Sequence, residues 1–297
     1  MKKSRILVGF LAVALFVVPS SVYPWGSAVH AYIASHLKPG NANVVYGSLA
    51  PDMFNYAFEL GALKDIMYQQ FHTYPELLWG IAGTFNQKSL AYGFMNHKED
   101  DQTAHYNGVV FGRGEGYVIA KAKVLDEYLA GKFPKYAELR SLAPQVSLEV
   151  AHNLIENSID VLIRRVDPLV GLKLMRAATV RDSVFPSMIV NVWGGADPSL
   201  PTVIPVVESA FKTLMFNYGG LFATNNEAQI IDTLSAQMAG FAPVFLPPGF
   251  ELSYETAFAI AKAGTIKGME ICRGTSLIEI TLTIMQARQH LSGYRLN

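Results

Sequence analysis

The sequence predicts an all-α protein. Three observations carry that expectation: apolar residues recur at spacings of three and four, strict alternation is scarce, and acid–histidine pairs stand four residues apart within the periodic segments. A helix repeats about every 3.6 residues, so such spacing builds one apolar face, whereas a half-buried strand alternates with period two. Composition agrees with a folded chain. Of 297 residues, 51% are hydrophobic and 16% charged, enough apolar material to bury a sizeable core. Disorder and collagen-like repetition are excluded.

Residues 1–24 read as a signal peptide. Lys2, Lys3 and Arg5 precede the apolar run 6–18, which Pro19, Ser20 and Ser21 break. That run is shorter than the roughly 20 residues of a membrane-spanning helix, so a retained anchor is the lesser reading. Val22, Tyr23 and Pro24 are not the small residues that favour a cleavage point. The expectation is an exported protein, periplasmic or extracellular. Without the signal the chain has 21 basic and 24 acidic residues, a charge of about −3, which gives no reason to expect a basic nucleic-acid surface. Cys272 is the single cysteine, so no intramolecular disulfide can staple the fold.

From residue 25 to 297 one helical domain is expected. Spacing predicts helices over 28–37, 58–70, 89–106, 117–130, 147–166 and 169–176. The helix over 147–166 is the clearest. Leu148, Ala151, His152, Ile155, Ile159, Leu162 and Val166 form its stripe, Ser147 is available as its cap, and Arg164 and Arg165 lie near its negative end. Between 185 and 250, prolines, glycine pairs and apolar runs at 203–207 and 241–250 predict loops and short helices. Glu208 and Lys212 interrupt the apolar stretch around Phe211, so no membrane span is expected there. Two more helices are expected over 254–267 and 276–291. No internal repeat or low-complexity linker divides the chain.

Six of the seven histidines fall between residues 25 and 152. His97, Asp101 and His105 stand at successive intervals of four, and His152 and Glu156 are four apart, so each set projects from one helix face. Imidazole and carboxylate on neighbouring turns can converge on one ion. A lone histidine on an apolar face is more often a hydrogen-bonded core residue, the reading kept for His36 and His290. For the joint pattern, gathering Asp101, Glu156 and several imidazoles in a helical interior without a cation would carry a severe desolvation cost. A solvent-facing polar stripe is the alternative. Glu99 and Asp100 rotate off the shared face and are assigned to supporting or solvent positions. The segment Gly47-Ser48-Leu49-Ala50-Pro51-Asp52 and the pair Phe71-His72 are, taken singly, an ordinary turn and helix boundary.

Together these residues resemble the zinc-dependent phospholipase C family, whose fold is shared with the S1/P1-type nucleases. The resemblance covers about residues 25–160 and rests on Trp25-Gly26 followed by His30, the segment 47–52, Phe71-His72, His97-x-x-x-Asp101 and His152-x-x-x-Glu156, in the family's order. It implies an all-α fold holding up to three zinc ions. Trp25, through its α-amino group and carbonyl oxygen, would bind the first with His30. Asp52, His72 and His97 would hold the second, Asp101 would bridge these two, and His105, His152 and Glu156 would hold the third. Two departures stand out. Asp101 and His105 are four residues apart, where the best-known members have six and a proline. The Trp25 amino group is a ligand only if processing exposes it.

The resemblance implies a phosphoric diester hydrolase that cleaves a phospholipid such as phosphatidylcholine into diacylglycerol and a phosphorylated head group. Asp52 would orient or deprotonate the attacking water. Phe54 and Tyr56 are candidate lining for a head-group pocket, since an aromatic face attracts a quaternary ammonium; packing the helix that begins there is the plainer reading. Two rival expectations are an S1/P1-like nuclease or 3′-nucleotidase, and a non-catalytic envelope protein that binds lipid or a partner.

Overall fold

The computed structural model describes residues 26–296, leaving aside the side chains of residues 56–60. The expected signal peptide 1–24 and Trp25 lie outside the described residues. Among those residues every regular element is helical, and one buried apolar cluster runs from Ala28 to Leu291. No helix among them is long and apolar enough to cross a membrane.

The first layer is built from α1 (Ser27–Leu37), α2 (Ala42–Leu49), a 3-10 helix (Ala50–Leu60), α3 (Ala62–Thr73), α4 (Glu76–Ile81) and α5 (Phe85–Asp101), which runs into a π turn (Gln102–Tyr106). Asn41 caps α2 by accepting from the amides of Asn43 and Val44, and Thr84 with Gln87 closes a capping box on α5. Glycines bring α2 and α5 into backbone contact: a Cβ on Gly47 would collide with the Leu90 carbonyl, and one on Gly93 with the Val44 carbonyl. That approach sets His97 of α5 beneath the end of α2, where its Nδ1 meets the Ser48 carbonyl at 2.9 Å.

The chain continues through α6 (Tyr117–Lys132), α7 (Pro134–Leu142) and α8 (Pro144–Val166). The long α8 packs against α1, α6, α7 and a later helix, so both of its sides are covered. Its Asp160 holds the start of α1, accepting from the amides of Ala28 and Val29 at 3.0 and 2.9 Å and from the Tyr218 hydroxyl at 2.6 Å. A Cβ on Gly26 would occupy the space of that carboxylate, so the glycine lets the helix start sit on Asp160. The second layer comprises α9 (Val170–Val180), α10 (Phe185–Trp193), α11 (Leu200–Thr224), α12 (Glu227–Phe245), α13 (Tyr254–Cys272) and α14 (Ser276–His290). Within it α9 packs on α11 and α12 on α13, while α13 also packs on α8.

Several local expectations need correction. Helix 58–70 begins later, at Ala62, because Gly61 adopts φ 53° and separates α3 from the 3-10 helix that Pro51 opens. The helix over 89–106 starts four residues earlier, at the Thr84 cap, and ends in a π turn. Ser147 is not a cap: α8 starts at Pro144, and the Ser147 hydroxyl donates to the Pro144 carbonyl at 3.0 Å. The largest miss is 185–250, where α11 and α12 span 25 and 19 residues instead of short pieces. Their prolines lie near helix ends, with Pro201 in the first turn of α11 and Pro243 in the last turn of α12. Only Pro205 interrupts an interior, one turn into α11, where the helix tolerates it.

Candidate metal centre

Six elements deliver their polar side chains to one interior region. α1 supplies His30, the 3-10 helix Asp52, the end of α3 His72, α5 His97 and Asp101, the π turn His105, and α8 His152 and Glu156. Two compact groups result, each with its ligand atoms within 4.8 Å of one another: His30, Asp52 and His97, and His105, His152 and Glu156. The first is fully buried and the second is buried except for the partly exposed His105, and either could hold a metal ion.

The second group is the expected third set. His105 Nε2 lies 2.8 Å from His152 Nε2, and His152 Nε2 lies 2.9 Å from Glu156 Oε1. The first group merges two expected sets. His30 stacks on His97 with ring centroids 4.6 Å apart and shares the space around Asp52. His72 stands beside this group, its Nε2 3.1 Å from His97 Nε2 and 3.9 Å from Asp52 Oδ1. Asp101 is outside both compact groups. Its Oδ1 lies 2.9 Å from His105 Nδ1, so it orients that ring in the arrangement present here.

The hydrogen bonds on the far side of each ring determine which nitrogen carries the proton. His97 Nδ1 faces the Ser48 carbonyl and His72 Nδ1 the Tyr68 carbonyl, each at 2.9 Å. A carbonyl only accepts, so Nδ1 is the protonated nitrogen and Nε2 bears the lone pair in each neutral ring. The two Nε2 atoms therefore meet at 3.1 Å with no proton to share. Only an added proton or a cation reconciles them, and burial, first of all, pushes both histidines below their ordinary pKa, against the added proton. His30 repeats the pattern. Its Nδ1 donates to Asp100 Oδ2 at 3.0 Å, leaving a buried Nε2 without a hydrogen bond. Both oxygens of Asp52 are also buried without a hydrogen bond, although His97 Nε2 lies 3.7 Å from one of them. Such outer-sphere anchoring of each imidazole, with the other nitrogen turned inward, is the arrangement metal-ligating histidines adopt.

Electrostatics separate the two groups. Burial pushes His30 down to about 3 and holds His97 well below its usual range, with neighbouring imidazoles adding to the effect. In the second group burial also opposes the charged form, but the carboxylates of Asp101 and Glu156 outweigh it at His105. Those of Glu156 and Glu149 do so at His152, which rises to about 10. Asp52 rises well above the ordinary carboxylate range, through burial first and then the charges of Asp101 and Glu156. Imidazoles face these carboxylates: His72 and His97 lie near Asp52, His30 on Asp100, His105 beside Asp101, and His105 and His152 near Glu156. The donor set of nitrogen and oxygen atoms, and the unmatched acceptors, fit a divalent cation.

Other expected residues settle differently. Phe54 is buried and packs against Tyr68 and His72, with ring centroids 5.1 and 5.4 Å apart, so it supports the His72 ring from the core side and does not line an open pocket. The Tyr56 side chain and Trp25 lie outside the described residues. His36 and His290 are exposed, not core: His36 Nδ1 donates to the Tyr32 carbonyl, and His290 Nδ1 lies 2.5 Å from Glu99 Oε2. Asp100 takes the supporting position, holding both His30 and the Asn96 amide, while Glu99 reaches the surface. Three residues were missed: Ser48, whose carbonyl orients His97; Tyr68, whose carbonyl orients His72; and Asp160, which fixes α1. Asp160 stands four residues after Glu156, so the interval of four that marked the ligands also marked it, whereas Ser48 and Tyr68 act through backbone carbonyls and carry no such signal. Compared with family models, with curated proteins and with solved structures, the chain matches none.

Proposed function

We propose that the protein is an exported zinc-dependent phosphoric diester hydrolase of the phospholipase C type, acting on a phospholipid to give diacylglycerol and a phosphorylated head group. The observation that carries the reading is the meeting of His72 and His97 through bare Nε2 atoms beside an Asp52 carboxylate with no hydrogen-bond partner. His30, Asp52, His72, His97, Asp101, His105, His152 and Glu156 would hold up to three zinc ions, with Trp25 joining if processing frees its amino group. Zinc, when bound, would lower the pKa of water toward about 7 and neutralise charge on phosphoryl oxygens.

The chain's own part in the chemistry follows from burial and charge. Asp52 would orient an attacking water and take its proton, a role supported by the raised proton affinity that burial and neighbouring carboxylates give it. His72, Asp101 and His105 have side chains 11%, 10% and 16% exposed, whereas His30, Asp52, His97, His152 and Glu156 are at 5% or less. The open edge of the centre therefore lies at the first three, where a phosphate ester would enter. A cysteine nucleophile is not required, and Cys272 is unsuited to the role, since burial pushes its thiol up to about 12.

The charge of about −3 and the lack of any disulfide favour lipid over nucleic acid. The nuclease reading draws on Tyr106, which is half exposed beside His105 and could stack a base. The test uses mature protein of determined N-terminus and metal content, and compares phosphocholine release from phosphatidylcholine with nucleotide release from single-stranded DNA. Lipid hydrolysis abolished by a chelator and restored by zinc is the expected result. Hydrolysis of DNA alone would replace lipid by nucleic acid, and bound metal with no turnover of either would favour a binding protein.

A further inference from the structure

The open edge of the centre is crossed by two tyrosines. Tyr68 stands four residues before His72 on α3, and its ring lies 4.6 Å from the His72 ring. Tyr106 directly follows His105 in the π turn, with ring centroids 6.3 Å apart. Their hydroxyls meet at 3.2 Å, so one polar contact links the segment carrying His72 to the segment carrying His105. These two histidines belong to the three residues of the centre that reach solvent. Tyr68 is partly buried and Tyr106 is 51% exposed, so the pair lies between the interior and the solvent.

We propose that Tyr68 and Tyr106 form an oxyanion grip, their two hydroxyls turning from each other to donate hydrogen bonds to the non-bridging oxygens of a tetrahedral phosphoryl group arriving between His72 and His105. The inference rests on the proposed hydrolase and names the part of the chain that would hold its substrate's phosphate. In the arrangement present here the pair makes a single mutual hydrogen bond, in which one hydroxyl donates and the other keeps its proton free. A phosphoryl oxygen offers a charged acceptor to both, and a charge-assisted hydrogen bond is stronger than the neutral one it replaces. The contact is also reversible at small cost, because a hydroxyl turns about one bond while the rings stay packed.

The test is calorimetric binding of inorganic phosphate to the zinc-loaded mature chain and to its Tyr68→Phe and Tyr106→Phe variants. Phenylalanine keeps each ring and removes only the hydroxyl. The expected result is about a tenfold loss of phosphate affinity for each variant, the order of one charge-assisted hydrogen bond, with zinc content unchanged. Equal phosphate affinity in all three proteins overturns the grip and leaves the hydrolase reading standing. Loss of zinc from Tyr68→Phe also overturns it, because the residue would then serve only to support His72. A wild-type protein that binds zinc but no phosphate removes the hydrolase reading and the grip together.

Discussion

The His30–Asp52–His97 group and the His105–His152–Glu156 group face one another across the same interior, yet they handle charge in opposite ways. In the first, the imidazoles rest on Asp100 and the Ser48 carbonyl and are driven toward the neutral form, while the central carboxylate has no hydrogen-bond partner. In the second, carboxylates lie directly against imidazoles and hold protons on them. The first group is a set of bare donors that could hold a cation, and the second can balance part of its own charge. The difference comes from chain connectivity. His152 and Glu156 share α8 at i, i+4, so their pairing is local, whereas His30, Asp52 and His97 come from three elements joined by packing alone.

The strongest way to break this comparison is to remove the central acid of each group. Asp52→Asn should lower phosphodiester turnover by about 10³-fold, the range for loss of a general base, while Glu156→Gln should cost nearer tenfold. Steady-state assays of both variants with measured zinc content decide it, and equal losses would erase the distinction.

Next in size is a pH effect at Asp160, which joins α8, the helix of the second group, to the start of α1, the helix of the first. Burial raises Asp160 to about 7 despite its hydrogen bonds from Tyr218, Ala28 and Val29. A carboxyl raised above its unfolded value keeps its proton in the folded state while the unfolded chain releases it. Stability from this group is thus full below about pH 4 and declines as pH rises toward 7. Relative to Asp160→Asn, the wild type should lose about 3 kcal/mol between those limits, read by urea unfolding at each pH. A constant difference would show that Asp160 is ionised throughout.

Gly93→Ala acts first on the first group, because His97 follows it by one helical turn whereas His105 lies beyond the end of α5. Its methyl would force α5 away from the Val44 carbonyl, costing about 2 kcal/mol, and would draw His97 from Ser48. Metal titration should show weakened binding at one class of site with the other kept. Asp100→Asn is the mildest probe. Loss of the carboxylate behind His30 should reduce metal affinity at the first group by about tenfold, the lower end for an outer-sphere partner. Uniform weakening at both groups in either titration would mean that they act as one centre.

Legibility from sequence follows the same division. The spacing of His97, Asp101 and His105 and of His152 and Glu156 correctly marked faces of two helices, because helical pitch makes residues four apart neighbours wherever the helix goes. The support given by Ser48 and Tyr68 was not legible, since it comes through backbone carbonyls that any residue type supplies. Phe54 shows the limit from another side. Its proximity to Asp52 suggested a pocket wall, but only the packing of α3 decides that the ring lies under His72. The helices α11 and α12 were hidden by prolines, whose meaning depends on where each falls relative to a helix end.

By itself, the sequence determined the all-helical class and the pairing of acids with histidines, because periodicity and i, i+4 contact are properties of a single helix. Only the tertiary structure decided that His30 joins Asp52 and His97, that Asp101 falls outside both compact groups, and that the open edge lies at His72 and His105. Those outcomes depend on how closely separate helices approach, and close approach is settled by side-chain volume across an interface, by glycine where backbones touch, and by the high cost of burying an unmatched charge.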